Sequence, residues 1–269
     1  MPELPEVETI RRGLERQLRG RRVDGVDWRP AKRLRSPSPR PLAEAEGRTV
    51  QSIGRHGKFL LVHLSDGATL VVHLGMTGKL LFAEPGEEER PHTHLVLHLD
   101  DEAELRFSDP RRFGTVRLYG PGEEVRDLAH YGPDALGRAF TRAHLAARLA
   151  ASKAPLKAFL LDQTKVAGVG NIYACEALWR ARLSPRRRAC DTPKAGPLFD
   201  AIRAVLRDSI GRGGTSFNDY VDAIGQEGQF TAELAVFQRE GEPCPRCGSA
   251  VRRMTQSGRS PLFCPTCQR

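Results

Sequence analysis

The sequence predicts an α+β multidomain fold with an N-terminal antiparallel β-sandwich or barrel and its flanking helix, a helical domain, and a small metal-binding module. Three observations predict this order. Apolar residues recur every three or four positions near the start, short β-rich runs follow up to about residue 119, and the helical period returns near residue 141. Two Cys-x-x-Cys pairs lie near the end of the chain.

The first predicted element is an amphipathic helix. Glutamates stand at its N-terminal end, where the helix dipole favours negative charge, and arginines follow on the outer face. The apolar face is therefore expected to pack on the β-domain. Its members are Leu4, Val7, Ile10, Leu14 and Leu18.

Eight short runs after this helix are rich in β-forming residues, and turn signals such as Ser65-Asp66-Gly67 separate them. Short strands at such close spacing are typical of an antiparallel sandwich or barrel. The predicted strands are Val23–Trp28, Thr49–Arg55, Lys58–Leu64, Thr69–Leu74, Lys79–Phe82, His94–Leu99, Glu104–Phe107 and Thr115–Leu118.

The second half of the chain reads as helical. A rise in Gly and Pro content over 120–134 predicts a hinge, and the Gly-rich, polar segment 212–232 predicts a mobile loop. We therefore expect domains at 1–131, 132–232 and 233–269. The predicted helices are Thr141–Ala151, Leu156–Asp162, Asn171–Ala181 and Pro193–Gly211.

The charge balance favours a polyanionic partner. The 269 residues include 42 Lys and Arg against 33 Asp and Glu, a net charge of +9. Nucleic acid is the first candidate partner and an anionic membrane the second, while a merely solvated charged face is the alternative. No run approaches the ~18 apolar residues of a membrane span, and no secretory apolar core opens the chain, so we expect a cytosolic protein without a membrane partner.

The four clustered cysteines predict a metal site. Cys244-x-x-Cys247 and Cys264-x-x-Cys267 have the spacing of a four-thiolate zinc site, and so short a segment depends on metal to fold. Two disulfides or an iron–sulfur cluster are the alternatives. Four protein ligands leave no open coordination position, so the zinc is expected to be structural. Cys175 and Cys190 stand apart and are expected to be buried thiols.

The first residues point to amine chemistry. Initiator methionine is normally removed before a small second residue, so we expect the mature chain to begin at Pro2. An α-amino group titrates near pKa ~7.7–8.0, so much of it is an uncharged nucleophile at neutral pH. Attack on an aldehyde-level carbon would give a cationic iminium, with Glu3 and Glu6 nearby for proton transfer. The alternative is that Pro and Glu simply favour a helix N-terminus.

Two loops carry further signals. Asp109-Pro110-Arg111-Arg112-Phe113-Gly114 places two arginines and an aromatic residue in a turn, which suits insertion into a base stack. The alternative is a hairpin with Phe113 in the core. The Gly-rich segment Lys165–Tyr173 opens a helix, and its backbone N–H groups suit an anion, although an ordinary helix–helix turn is the default.

These motifs together resemble one family, the formamidopyrimidine-DNA glycosylases, also called 8-oxoguanine DNA glycosylases/AP lyases. The resemblance implies an N-terminal antiparallel β-sandwich with a flanking helix, a helix-two-turn-helix DNA-binding domain, and a C-terminal four-Cys zinc finger. The motifs that carry it, in order, are Pro2–Thr9, Gly57–Leu61, His73–Gly78, Asp109–Gly114, Gly168–Tyr173 and the four cysteines.

The resemblance also implies catalytic roles. Pro2 would attack C1′ of the damaged nucleotide, and Glu3 would donate a proton and shuttle it during ring opening. Lys58 would assist catalysis and the first elimination, and Arg259 the second. The expected activity is base-excision repair of oxidised purines, 8-oxoguanine and formamidopyrimidines, with strand cleavage by β,δ-elimination.

DNA contacts follow from the same resemblance. A trio formed by Met76, Arg111 and Phe113 would fill the space left by the everted base, with Arg111 facing the orphaned cytosine. Without the motifs, Met76 would read as a core residue, and His73 and His92 as ordinary histidines. The full set of expected DNA contacts is His73, Met76, His92, Arg111, Phe113, Lys153 and Asn171, with Lys58 and Arg259 also touching the backbone.

The implied partner is double-stranded DNA containing oxidised bases, bound by a monomer in the cytoplasm at the nucleoid. The chain departs from the family at Phe237-Gln238, where a Tyr-Gly pair is usual. The alternatives are an endonuclease VIII-like enzyme for oxidised pyrimidines, a non-catalytic DNA-binding protein on the same scaffold, and a zinc-ribbon RNA-binding protein.

Overall fold

The computed structural model describes residues 2–29, 38–192, 195–217, 220–255 and 261–269. The chain forms two compact units, Met1–Ala129 with Arg212–Gln229, and His130–Gly211 with Phe230–Arg269. This division differs from the predicted domains 1–131, 132–232 and 233–269, because residues 212–229 pack within the first unit and the cysteine module belongs to the same unit as the helices.

The first unit begins with the predicted amphipathic helix. Helix α1 spans Leu4–Leu18 and its apolar face is buried. Pro5 stands in its first turn, where a missing N–H costs nothing, and Glu3 is the N-cap residue. The helix ends at Leu18, and the next residue, Arg19, has extended backbone angles.

Two four-stranded antiparallel sheets follow, and they confirm the predicted fold. One sheet has the strand order β1-β6-β7-β5 and the other β2-β3-β4-β8. The strands are β1 (Val23–Trp28), β2 (Val50–His56), β3 (Phe59–Leu64), β4 (Thr69–His73), β5 (Lys79–Ala83), β6 (Thr93–Leu99), β7 (Glu104–Ser108) and β8 (Thr115–Tyr119).

The core of this unit lies between the sheets and under α1. Leu60 and Val62 of one sheet join Leu97 and Phe107 of the other in a single buried cluster, which Leu14 of α1 also enters. Burying one such side chain is worth roughly 1.5–3 kcal/mol. The packing therefore fixes the helix, and with it the N-terminal residues, against the sheets.

Strand register brings three turns to the same end of these sheets. Gly57 and Lys58 join β2 to β3. Phe59, the first residue of β3, pairs with His73 at the end of β4, and His73 pairs with Thr115 at the start of β8. The β2–β3, β4–β5 and β7–β8 turns therefore adjoin one another.

The Gly-rich segment that was predicted as a mobile loop has defined partners where the structure describes it. Thr215 and Gln229 form an antiparallel bridge that closes the segment at its base. The buried Tyr220 hydroxyl donates to the Gly213 carbonyl at 3.0 Å, and the Ala223 carbonyl accepts from Phe82 of β5 at 3.0 Å. These contacts hold the segment on the first unit.

The second unit contains the predicted helices and a small β-hairpin. Thr141 caps the first of them, as its side chain accepts from the His144 N–H. The predicted start of the last helix at Pro193 lies outside the described residues. The elements are α2 (Arg142–Ala150), α3 (Leu156–Leu161), α4 (Asn171–Arg180), α5 (Ala195–Gly211), β9 (Arg252–Arg253) and β10 (Leu262–Phe263).

Among the described residues, every helix is too short or too polar to cross a membrane.

Gly214 gives a test of how firmly the 212–229 segment is held. Its φ of +91° favours glycine, and an added Cβ would lie 3.0 Å from Tyr220 and 3.1 Å from the Glu6 carboxylate. We expect Gly214→Ala to lower the free energy of unfolding by at least about 1–2 kcal/mol, the cost of the backbone conformation alone. Urea unfolding of the variant and of the wild-type protein measures this difference in the free energy of unfolding. Gly211→Ala, at a helical position with open space around it, serves as control and should be neutral or slightly stabilising. Equal stabilities for the two variants would contradict a packed segment.

Candidate functional site

The N-terminal turn is buried and fixed by a carboxylate. Pro2 and Glu3 are buried, and the Glu3 N–H donates to Glu6 Oε2 at 2.8 Å. The Glu3 side chain accepts from the Glu6 backbone in return, which completes a capping box. The second Glu6 oxygen accepts from the Thr215 N–H at 2.9 Å. One buried carboxylate thus ties the residues around Pro2 to the Gly-rich segment.

Lys58 lies in the β2–β3 turn and is nearly buried, with 7% of its surface exposed. Gly57, before it, has a φ of +56°, and its carbonyl accepts from the Arg55 guanidinium at 3.0 Å. The same guanidinium donates from Nε to Glu8 Oε2 on α1, also at 3.0 Å. This pair connects the turn that carries Lys58 to the helix that begins behind Pro2.

Glu8 is ionised across the physiological range. Burial would raise its pKa, but hydrogen bonds from Arg11, Arg12 and Arg55 together with the Arg11 charge outweigh that effect and lower the pKa to about 2. Three guanidiniums around one carboxylate leave no reason for it to take a proton at pH 7. The bond between Glu8 and Arg55, which in turn contacts the Lys58 turn, is therefore a salt bridge between two charged groups.

The positive charge of Lys58 acts on the His73 imidazole. Burial, and after it the positive charge of Lys58, lowers the pKa of His73 to about 4. The ring lies 4.8 Å from the Phe59 ring, and the Gly75 N–H donates to its Nδ1 at 3.2 Å. Nδ1 is therefore the acceptor of a neutral imidazole, and Nε2 carries the hydrogen that could donate to a ligand oxygen.

Asp109 organises the loop that was predicted to enter a base stack. This carboxylate is fully buried, and one oxygen accepts from Thr77 Oγ1 at 2.6 Å and from the Arg111 N–H at 3.2 Å. The other oxygen accepts from the Gly114 N–H at 2.7 Å. A single side chain thus joins the β4–β5 turn to the β7–β8 turn.

The predicted trio occurs on these two turns. Met76 and Phe113 are each 38% exposed, which is unusual for large apolar side chains, and the Arg111 guanidinium lies 4.9 Å from the Phe113 ring. The alternative interpretations of Met76 and Phe113 as core residues are therefore wrong. Because Gly75 approaches the Phe113–Gly114 peptide so closely that a Cβ would lie 2.6 Å from it, the two turns are held side by side.

His92 lies on the segment before β6, exposed and with a φ of +65°. Its carbonyl accepts from the Asp109 N–H at 3.1 Å. The predicted DNA contact at His92 therefore belongs to the same group of turns.

The two remaining predicted DNA contacts lie in the second unit. Lys153 is exposed between α2 and α3, and Asn171 is the first residue of α4. Asn171 Oδ1 is buried and has no hydrogen-bond partner in the part of the chain that the structure describes. It borders an open pocket of about 420 Å³ whose other lining residues are Phe237, Gln238, Glu240, Arg253 and Leu262.

The four predicted cysteines converge. Their sulfurs all lie within 4.8 Å of one another, with Cys244 and Cys267 at 3.9 Å and Cys247 and Cys264 at 3.5 Å. A tetrahedral zinc ion with Zn–S bonds near 2.3 Å would set its sulfurs about 3.8 Å apart, so the cluster fits a single ion. All four thiols are free, which contradicts the disulfide alternative. Cys175 and Cys190 are also free thiols; Cys175 is buried as predicted, but Cys190 is exposed, so its predicted burial is wrong.

Helix α4 supports this module from two sides. The Trp179 indole N–H donates to Cys244 Sγ at 3.4 Å, and the Arg246 guanidinium stacks 4.1 Å over the same ring. The buried Glu176 carboxyl group accepts three backbone N–H groups, and it holds the irregular segment that leads into the module. Burial nevertheless raises the pKa of Glu176, against the lowering effect of those three bonds. The three donors are Ala235, Val236 and Phe237, at 2.8–3.0 Å.

One predicted site residue could not be placed, and the roles of three residues that the structure reveals were not predicted from the sequence. Arg259 lies outside the described residues. The positions of Arg55 and Trp179 follow from contacts between distant segments, which no local sequence pattern indicates. The structural role of Asp109 had a local signal, because Asp at the start of a turn often accepts backbone N–H bonds two or more residues ahead.

Three family models match successive parts of the chain. They are the formamidopyrimidine-DNA glycosylase N-terminal domain over residues 1–116, the formamidopyrimidine-DNA glycosylase H2TH domain over 131–221, and the zinc finger found in FPG and IleRS over 241–269. With the geometry of the cysteine cluster, the last match identifies a structural zinc site.

Full-length relatives agree. A formamidopyrimidine-DNA glycosylase of Rhodopseudomonas palustris is 43% identical, with all of both chains covered. The crystal structure of MutM (Fpg) from Thermus thermophilus is 44% identical with a TM-score of 0.88, over 99% of this chain and 98% of the other. Wild-type Lactococcus lactis Fpg is 33% identical over both complete chains with a TM-score of 0.90, in complexes with DNA containing N7-benzyl-Fapy-dG or an oxidised pyrimidine.

The contact between Trp179 and Cys244 predicts an effect on zinc retention. Trp179→Phe keeps an aromatic ring on the helix but removes the N–H donor to the sulfur. Because groups that hold a metal ligand typically tune affinity, we expect zinc transfer to a chromogenic chelator to become faster by on the order of tenfold. Arg180→Gln, on the same helix but paired with Asp208, is the control and should leave the rate unchanged. Equal rates for both variants would refute this role of the indole.

Proposed function

The chain belongs to the formamidopyrimidine-DNA glycosylase family, and on that premise we propose that it excises oxidised purines from DNA through a covalent intermediate at Pro2 and then cleaves the strand. The observation that carries the proposal is the buried, doubly fastened N-terminal turn. A residue that served only to start a helix would not need its neighbours fixed from both the helix and a second segment.

The first step is nucleophilic attack by the Pro2 amine. Once methionine is removed, the secondary nitrogen donates its lone pair to C1′ of the damaged nucleotide, and the bond from C1′ to the base breaks with its electrons on the departing base. The attacking nitrogen loses its proton, and the departing base takes up a proton in exchange. Proton transfer from Glu3 to the sugar ring oxygen opens the ring. The product is an iminium that joins Pro2 to C1′, a Schiff base.

Strand cleavage follows from that intermediate. The cationic iminium acidifies the C2′ hydrogens, so loss of one of them expels the 3′ phosphate in a β-elimination. Loss of a further proton then expels the 5′ phosphate in a δ-elimination. We assign assistance of the first elimination to Lys58 and of the second to Arg259.

The exposed trio is proposed to compensate for base eversion. Flipping a nucleotide costs a few kcal/mol, and Met76, Phe113 and Arg111 would occupy the vacated space and meet the orphaned cytosine. We propose that His73, His92, Lys153 and Asn171 contact the DNA backbone. The neutral His73 would do so as a hydrogen-bond donor and not as a cation.

We further propose that the enzyme acts as a monomer in the cytoplasm, on nucleoid DNA. Its net charge of +9 suits a duplex partner. When Lys and Arg side chains neutralise DNA phosphates, counterions are released, and this release supplies a large share of the binding affinity.

The covalent step is tested by reductive trapping. We expect protein with a free Pro2 terminus to form a stable adduct with an 8-oxoguanine-containing duplex in borohydride, because reduction of the iminium fixes the bond. Protein carrying an uncleaved N-terminal extension should bind the duplex equally but give no adduct, since its Pro2 nitrogen is an amide. Adduct formation by the extended protein would refute the proline nucleophile. No adduct from either form would favour a non-catalytic DNA-binding protein.

A second candidate substrate class is oxidised pyrimidines, because the similar Lactococcus lactis Fpg has been solved with DNA containing one. We expect single-turnover excision of 8-oxoguanine opposite cytosine to exceed that of thymine glycol opposite adenine by at least about tenfold, which corresponds to roughly 1.4 kcal/mol between the two transition states. The reverse order would establish an endonuclease VIII-like preference. The same protein preparation and the same flanking sequence serve both reactions.

A further inference from the structure

Arg55 occupies a position between two parts of the proposed site. Its side chain is only 8% exposed, and it forms a salt bridge with Glu8 of α1, whose side chain is 12% exposed. A second guanidinium nitrogen donates to the Gly57 carbonyl. One planar group therefore contacts the helix behind Pro2 and the turn that carries Lys58.

The chemistry of this contact requires arginine. A guanidinium presents several N–H donors in a rigid plane, so Nε can hold a carboxylate while a terminal nitrogen holds a carbonyl. A lysine ammonium is a point charge on a flexible stem and has no such fixed fork. Replacing Arg55 by Lys would therefore preserve the charge but not both bonds in this geometry.

The carbonyl that Arg55 holds belongs to a constrained peptide. Gly57 has a φ of +56°, in the left-handed region, and its carbonyl carbon is bonded directly to the Lys58 nitrogen. Fixing that carbonyl oxygen fixes the plane of the peptide from which Lys58 extends. Rotation of this plane would move the Lys58 side chain, and a displacement of a reacting group by about 1 Å can cost 10²-fold in rate.

Glu8 is held by two further arginines that do not contact this turn peptide. Arg12 reaches the same carboxylate at 2.8 Å from an exposed position, and Arg11 joins it to the Ile53 carbonyl on β2. Glu8 is therefore anchored independently of Arg55. Arg55 therefore links the position of the turn to that of α1.

We propose that Arg55 is a positioning residue for the elimination step: by joining Glu8 to the Gly57 carbonyl, it sets the Lys58 side chain relative to the chain terminus. This inference rests on the proposed function, since it assigns Arg55 a role in the chemistry of Lys58 and Pro2. It concerns geometry and predicts little change in DNA affinity.

The experiment compares single-turnover β-elimination on a duplex with a preformed abasic site, together with duplex affinity and melting temperature. We expect Arg55→Gln to slow elimination by on the order of ten- to a hundred-fold, as for a misplaced group, with affinity within about twofold of wild type. Arg55→Lys should recover only part of the rate. Arg12→Gln is the matched control, because it removes a neighbouring charge from the same carboxylate without contacting the turn, and it should keep the wild-type rate.

A double-mutant cycle separates positioning from general stability. If Arg55 acts through Lys58, adding Arg55→Gln to Lys58→Ala should slow elimination by less than about twofold, because coupled residues are non-additive. Full additivity in that cycle, or equal rates for Arg55→Gln and Arg12→Gln, would overturn the inference. A lower melting temperature alone, with the wild-type rate retained below it, would also overturn it. Failure of wild-type protein to cleave the abasic duplex would instead refute the proposed function.

Discussion

The constraint on which the first unit depends is a single buried carboxylate at the start of the chain. Glu6 accepts from the Glu3 N–H and from the Thr215 N–H, so it holds the N-terminal turn and the Gly-rich segment at once. Chain termini are usually poorly ordered unless something ties them down. A terminus that serves as a nucleophile needs such a fastening, because misorientation would remove the entropic advantage of a bound reactant.

Two other buried carboxyl groups hold irregular segments in the same way. Asp109 collects a hydroxyl and two backbone N–H groups to join two turns, and Glu176 collects three N–H groups to hold the approach to the zinc module. Burying a carboxyl group is costly unless its oxygens accept hydrogen bonds, and each of these groups accepts several. Each carboxylate therefore specifies a loop conformation that backbone pairing alone cannot fix.

Features with a local sequence signal were predictable, and features built from distant segments were not. The period of α1, the β-rich runs that form β3 and β4 and the spacing of the four cysteines are all local sequence patterns, and the structure confirms them. The contact of Arg55 with Glu8 joins residues 47 positions apart, so only the packed fold reveals it. Composition could not indicate what residues 212–232 contact, because the partners of this Gly-rich segment, Glu6 and Phe82, lie far from it in the sequence.

The central claim is that the nitrogen of Pro2 becomes bonded to a deoxyribose carbon. Tandem mass spectrometry of the peptides from a borohydride-reduced complex, after nuclease digestion of the DNA, tests it most directly. The expected result is a peptide that begins at Pro2 and carries the sugar remnant on its terminal nitrogen. A remnant on Lys58, or an active chain that still begins with methionine, would contradict a proline nucleophile.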